Sequence, residues 1–96
     1  MFIHVVMFKL KDSSEENVKK AKDILMSMEG KIEELKYLEV GMDVLHTDSS
    51  FDLILITKFD SKEDMDKYQV SEYHEGYVLK NLRPMLEGSK TVDYIG

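Results

Sequence analysis

A strand that is apolar on both of its faces limits what a short chain can become. Phe2-Ile3-His4-Val5-Val6-Met7-Phe8-Lys9-Leu10 is rich in β-branched and aromatic residues, which is the composition of a strand. Side chains alternate across a strand, so Phe2, His4, Val6, Phe8 and Leu10 share one face while Ile3, Val5 and Met7 share the other. Phe51 to Phe59 repeats the pattern, with Phe51, Leu53, Leu55 and Phe59 opposing Ile54 and Ile56. Neither face of either strand reads as a solvated surface. Helices of one small domain cover only one side of a sheet. The remaining side is expected to meet a second copy across a twofold axis, closing a two-sheet barrel.

With 96 residues, the chain has room for one core, and residues 1–96 are read as a single domain. A domain of this size buries a modest share of its surface, which adds weight to a homodimer. Ser13-Ser14-Glu15-Glu16 places a serine three residues ahead of a glutamate, the pattern of a capping box. Val18, Ala21, Leu25 and Met28 then recur at helical spacing, and Gly30 offers the residue that stops a helix with positive φ, so a helix is predicted from about Ser14 to Glu29. Tyr37 to Leu45 alternates as a second strand, with Gly41 marking a bulge or a close backbone approach. A polar turn, His46 to Ser50, joins it to Phe51–Phe59 as a hairpin. Ser61 caps a second helical region whose inward side carries Met65 and Tyr68. Ser71-Glu72 opens a further helical piece with His74, Val78 and Leu82 on one face. That piece must finish at Arg83, because Pro84 disfavours helical geometry in the residue before it. Thr91 to Ile95 closes the chain as a fourth strand. The order is βαββαβ, a ferredoxin-like α+β fold with a four-stranded antiparallel sheet and helices on one face, forming a dimeric α/β barrel.

Several function classes fall away on composition. Nineteen acidic against thirteen basic side chains give a net charge of −6, and the lysines are scattered among carboxylates, so a nucleic-acid backbone is a poor partner. The absence of cysteine excludes disulfides, a thiolate nucleophile and sulfur-ligated metal. His4, His46 and His74 are far apart in sequence and form no helical metal-binding pair, so no metal or other cofactor is expected, and no haem-ligand pattern stands out. Residues 1–11 lack the length of a membrane span and the marks of a signal peptide, which points to a cytoplasmic protein without a membrane partner.

The chain resembles the stress-responsive dimeric α/β-barrel (Dabb) domain family over nearly its whole length. The marks are His4-Val5-Val6-Met7-Phe8-Lys9, Leu38-Glu39-Val40-Gly41, Phe51-Asp52, Tyr68, His74, Arg83-Pro84 and Val92-Asp93-Tyr94. The resemblance implies a homodimer with a barrel core and a pocket between sheet and helices in each subunit. Plant members are associated with stress protection, and one, olivetolic acid cyclase, closes a linear polyketide by an intramolecular aldol condensation. There the histidine matching His74 is the base, the tyrosine matching Tyr68 assists, and the histidine matching His4 lies nearby. The present sequence departs from that enzyme at Leu53 and Ser71, each of which stands where it has a histidine, and at Glu72, which replaces a proline.

Two readings of these residues stand side by side. A neutral imidazole at His74 suits removal of a proton next to a carbonyl, with the Tyr68 phenol donating to the developing enolate oxygen. Equally, His4 and His74 suit the role of core histidines hydrogen-bonded to Tyr68 or Tyr94, fixing helix on sheet. The candidate catalytic pair is therefore His74 and Tyr68, and the candidate ligand-binding set is His4, Phe51, Leu53, Arg83 and Tyr94. Arg83 suits an anionic ligand, but an arginine ending a helix also complements its carbonyl end, and that structural role is preferred. His46 is read as a solvated turn residue, and Met26 and Met28 as core filling. The functional expectation is a small-molecule-binding dimer. The alternative is a polyketide-cyclase-like lyase acting through His74 and Tyr68.

Overall fold

A computed structural model describes residues 1–96. β1 (Phe2–Leu10) leads into α1 (Glu15–Met26), β2 (Tyr37–Met42), β3 (Leu53–Phe59) and α2 (Lys62–Gln69). A π-helical turn (His74–Leu79), α3 (Lys80–Leu82) and a 3-10 turn (Arg83–Met85) follow, and β4 (Leu86–Ile95) ends the chain. The sheet has the order β2-β3-β1-β4, with every neighbouring pair antiparallel. This is the ferredoxin-like fold.

The two-faced reading of the central strands describes the molecule well. His4, Val6, Phe8 and Leu10 of β1 are buried beneath the helices with Leu53, Leu55, Thr57 and Phe59 of β3. α1 adds Ala21, Ile24 and Leu25, and Met65, Tyr68, Val78 and Leu82 come from the later helical segments. The opposite face carries Ile3, Val5 and Met7 beside Ile54 and Ile56 on one side and Val92 and Tyr94 on the other. No element of the chain packs over it. Met7, on the central strand β1, is 38% exposed, and Val92 and Tyr94, on the edge strand β4, are 59% and 48% exposed.

Several local expectations need correction. Ser14, not a Ser13–Glu16 box, caps α1: its side chain accepts from the Asn17 backbone N–H. The helix stops at Met26, and Gly30, at φ 75°, turns the chain afterwards. Gly41 makes no bulge. A Cβ there would stand 3.0 Å from the Ile54 side chain across the sheet, so the glycine serves close approach. The register shift lies instead between Lys9 and Leu10, opposite β4. β2 ends at Met42, three residues short of Leu45, and β3 begins at Leu53, leaving Phe51 half-buried just ahead of it. β4 begins at Leu86, five residues before Thr91, because pairing with β1 carries the polar Glu87-Gly88-Ser89-Lys90 segment into the sheet. The helical piece after Ser71 holds a π turn rather than a plain α-helix.

Asp52 clips the edge where β1 leaves the sheet. Its backbone N–H donates to the Phe8 carbonyl at 2.8 Å, and its buried carboxylate accepts the Leu10 N–H at 2.7 Å.

Candidate functional site

Antiparallel register brings the first two members of the site together. His4 lies directly opposite Asp93, on the helix-covered face of the sheet. Its Nδ1–H donates to the Asp93 carboxylate at 2.5 Å. His4 Nε2 is then the acceptor, and the Gln69 side-chain amide, 3.3 Å away, donates to it. The imidazole is thus fixed as one tautomer with both nitrogens engaged. Its own backbone carbonyl accepts from the Thr57 hydroxyl at 3.0 Å, which ties β1 to β3 beneath the ring.

Tyr68 and His74 come from the helical layer. Ser61 caps α2 by accepting from Asp64 N–H, and seven residues on the helix turns Tyr68 inward, where it is completely buried against Phe59. Its ring centroid lies 4.5 Å from that of His74 and 6.4 Å from that of His4. Nothing in the protein hydrogen-bonds the Tyr68 hydroxyl. Burial pushes its pKa far above the ordinary phenol value, so it stays a donor at any physiological pH.

His74 Nδ1–H donates to the Gln69 backbone carbonyl at 3.1 Å, leaving Nε2 as an unprotonated acceptor. Burial lowers the His74 pKa from the ordinary 6.5, and nearby His4 and Arg83 work in the same direction, against the opposing pull of the Gln69 carbonyl and Glu75. The ring is therefore neutral near pH 7.

A cavity of about 300 Å³ lies between sheet and helices, lined by His4, Tyr68, Gln69, His74 and Arg83 together with the hydroxyl residues Ser89 and Thr91 and eight aliphatic or aromatic side chains from Val6 to Leu86. Of the residues singled out in the sequence, His4, Tyr68, His74 and Arg83 line it. Phe51, Leu53 and Tyr94 do not: Leu53 is buried in the core, Phe51 sits before β3, and Tyr94 stands on the uncovered sheet face. The histidines do not hydrogen-bond to Tyr68 or Tyr94; Asp93 and Gln69 take those positions. Sequence reasoning left Gln69 out, because a glutamine on a short polar helix gives no chemical signal and half of its role belongs to its backbone. His46 lies in the exposed turn, at φ 54°, beside Asp43. No group of histidine and carboxylate side chains in the chain is arranged to hold a metal ion, and no helix is long and apolar enough to cross a membrane.

A four-stranded ferredoxin-like sheet with a histidine- and tyrosine-lined pocket under its helices defines the class. The chain belongs to the stress responsive A/B barrel domain (Dabb) family, whose pattern matches residues 2–95. Among solved structures, a dimeric ferredoxin-like protein of unknown function from Thermobifida fusca superposes with a TM-score of 0.85 at 22% identity, covering 99% of this chain and 90% of that one. A protein from Arabidopsis thaliana gives 0.85 at 22% identity over 100% and 95% of the two chains. The hydroxynitrile lyase of Passiflora edulis gives 0.83 at 18% identity over 99% and 92%. At these identities the likeness concerns the fold. No curated protein sequence matches the chain.

Proposed function

We propose that this protein is a homodimer that binds a small organic molecule in the cavity between its sheet and helices. The observation that carries the reading is the cavity itself: a largely apolar wall with a few hydrogen-bonding groups set into it, including a buried phenol that the protein leaves without a partner. A pocket of this volume with a few convergent polar groups is the usual form of a small-molecule site. A bound oxygen atom would satisfy the Tyr68 hydroxyl, whose orphaned state is otherwise a cost. Dimerisation follows from the uncovered face around Ile54, Ile56, Met7 and Val92, and the neighbour from Thermobifida fusca is described as dimeric.

A second reading is favoured by the hydrogen bonding of His74. Its free Nε2 is a neutral base beside a phenol that keeps its proton to donate, the pairing required for proton removal next to a carbonyl. In such a step Nε2 takes the proton, the C–H electron pair moves into the enolate, and Tyr68 donates a hydrogen bond to the enolate oxygen. The protein would then be a lyase or cyclase of carbonyl compounds. The lyase from Passiflora edulis has the same fold.

The deciding experiment is a crystal structure after incubation with a mixed library of small carbonyl compounds and phenolic acids. Density against Tyr68 and His74 supports the binding reading and supplies a compound to assay. A cavity closed by side-chain packing overturns it. Exchange of the bound compound's α-protons in heavy water, followed by NMR, then separates the readings: exchange lost in His74→Asn establishes the base, and no exchange in the native protein leaves a binder.

A further inference from the structure

We infer that the ligand of this cavity is an organic monocarboxylate with an apolar body, its carboxylate held by Arg83. The inference rests on the cavity being a ligand site and adds the chemistry of what enters it.

Arg83 is the sole arginine of a chain whose net charge is −6. Among the residues lining the cavity it alone carries a fixed charge; no aspartate, glutamate or lysine joins it. The cavity is thus a locally positive place in an acidic protein. Arg83 is exposed, and besides its favourable place at a helix end its guanidinium enters no ion pair and no side-chain hydrogen bond within the protein. A planar fork of donors left free at the edge of an apolar cavity is matched by a carboxylate.

Position strengthens the assignment. His4 and Phe8 both line the cavity, four residues apart on β1, which is ~13 Å at the rise of a strand. Asp93 faces His4 at one end of this span, and the Ser89 hydroxyl stands opposite Phe8 at the other. Arg83 belongs to the Ser89 end, because the turn it opens leads at once to Met85, which accepts from Lys11 N–H, and to Leu86, which pairs with Leu10. The Arg83 backbone therefore enters the cavity wall toward the Ser89 end, and its charge is felt at His74. The Asp93 carboxylate disfavours an anion at the His4 end, which leaves the Arg83 guanidinium as the place for a ligand's carboxylate. One guanidinium within a negative protein suits a monoanion better than a phosphate dianion.

Calorimetric titration of the full chain with octanoate and with the isosteric octanamide tests this. Octanoate should bind roughly tenfold more tightly than octanamide, the difference made by a charge-assisted bond. Arg83→Gln should remove that preference, bringing octanoate down to the affinity of octanamide for the same variant, with circular dichroism confirming the fold. Equal affinities in the native protein, or a preference that survives Arg83→Gln, overturn the assignment and leave the cavity reading intact. If neither compound binds the native protein at millimolar concentration, the cavity reading falls and this inference with it. Should Arg83→Gln not fold, the comparison of the two compounds on the native protein decides alone.

Discussion

Tyr68 and His74 lie ring against ring, centroids 4.5 Å apart and planes tilted by 46°, yet the Tyr68 hydroxyl bonds neither to the imidazole nor to any other group of the protein. An aromatic contact without its polar complement is what a pocket wall looks like when the complement belongs to something bound.

Removing that hydroxyl should therefore cost the empty protein little. Tyr68→Phe is expected to be within about 1 kcal/mol of native stability and on the stabilising side, because a buried hydroxyl without a partner is a penalty in the folded state. Urea denaturation measures it. A loss beyond 1 kcal/mol would mean that the hydroxyl has a partner after all.

Burial of His74 makes stability depend on pH. Its folded pKa lies below the ordinary 6.5, so the unfolded chain binds the proton more readily than the folded one. The contribution is fully present above pH 6.5 and is lost as pH falls through the folded pKa. Urea midpoints between pH 8 and 5 should fall with a slope that steepens below pH 6.5 by up to about one proton. His74→Asn should flatten that part of the profile. An unchanged slope in the variant would assign the pH dependence to other groups.

Ile56 stands on the uncovered face, between Val5 of β1 and Glu39 of β2. Ile56→Asp should weaken self-association by roughly a hundredfold or more, since each copy would bury an uncompensated carboxylate at the interface. The half-exposed position should leave the monomer folded. Sedimentation equilibrium reads the change, and a dimer of native strength would place the interface elsewhere.

Asp52 offers a purely structural test. Its carboxylate accepts the Leu10 N–H at 2.7 Å in a buried setting, so Asp52→Ala should cost about 2 kcal/mol through the lost charged acceptor and the orphaned amide. Asp52→Asn, which keeps an acceptor oxygen, should cost less. Thermal or urea unfolding of both variants checks the order.

The fold was legible where local chemistry and tertiary packing agree. The alternation in β1 and β3 identified both faces, and Ser61, Met65 and Tyr68 announced the cap and inward side of α2. Legibility failed where pairing overrules propensity. Glu87-Gly88-Ser89-Lys90 has no strand character of its own and is drawn into β4 by β1. The site was half legible for the same reason. His4, Tyr68 and His74 were marked by residue type, but the partner that engages His4 Nδ1 is set by register, and register across two distant strands is not written in either one. Arg83 is marked in the sequence by its place at a helix end, while its lack of a partner within the protein and its place at the cavity emerge only from the fold.

The wide turn from His74 to Leu79 gives the pocket a phase. Each residue of an α-helix advances side chains by about 100°, and a π turn holds one residue more than an α turn spends on the same rise. Take one residue out between His74 and Leu82, at exposed Gly76 for instance, and the turn can close to regular helix. Leu82 and the start of β4 would keep their places, and His74 would keep its orientation toward Tyr68, because the extra residue is what the wide turn absorbs. The wide turn is thus what lets a segment one residue too long for an α-helix present both His74 and Leu82 to the core, and a further inserted residue, which the turn has no room for, would carry the imidazole about 100° round the axis toward water without disturbing the sheet below.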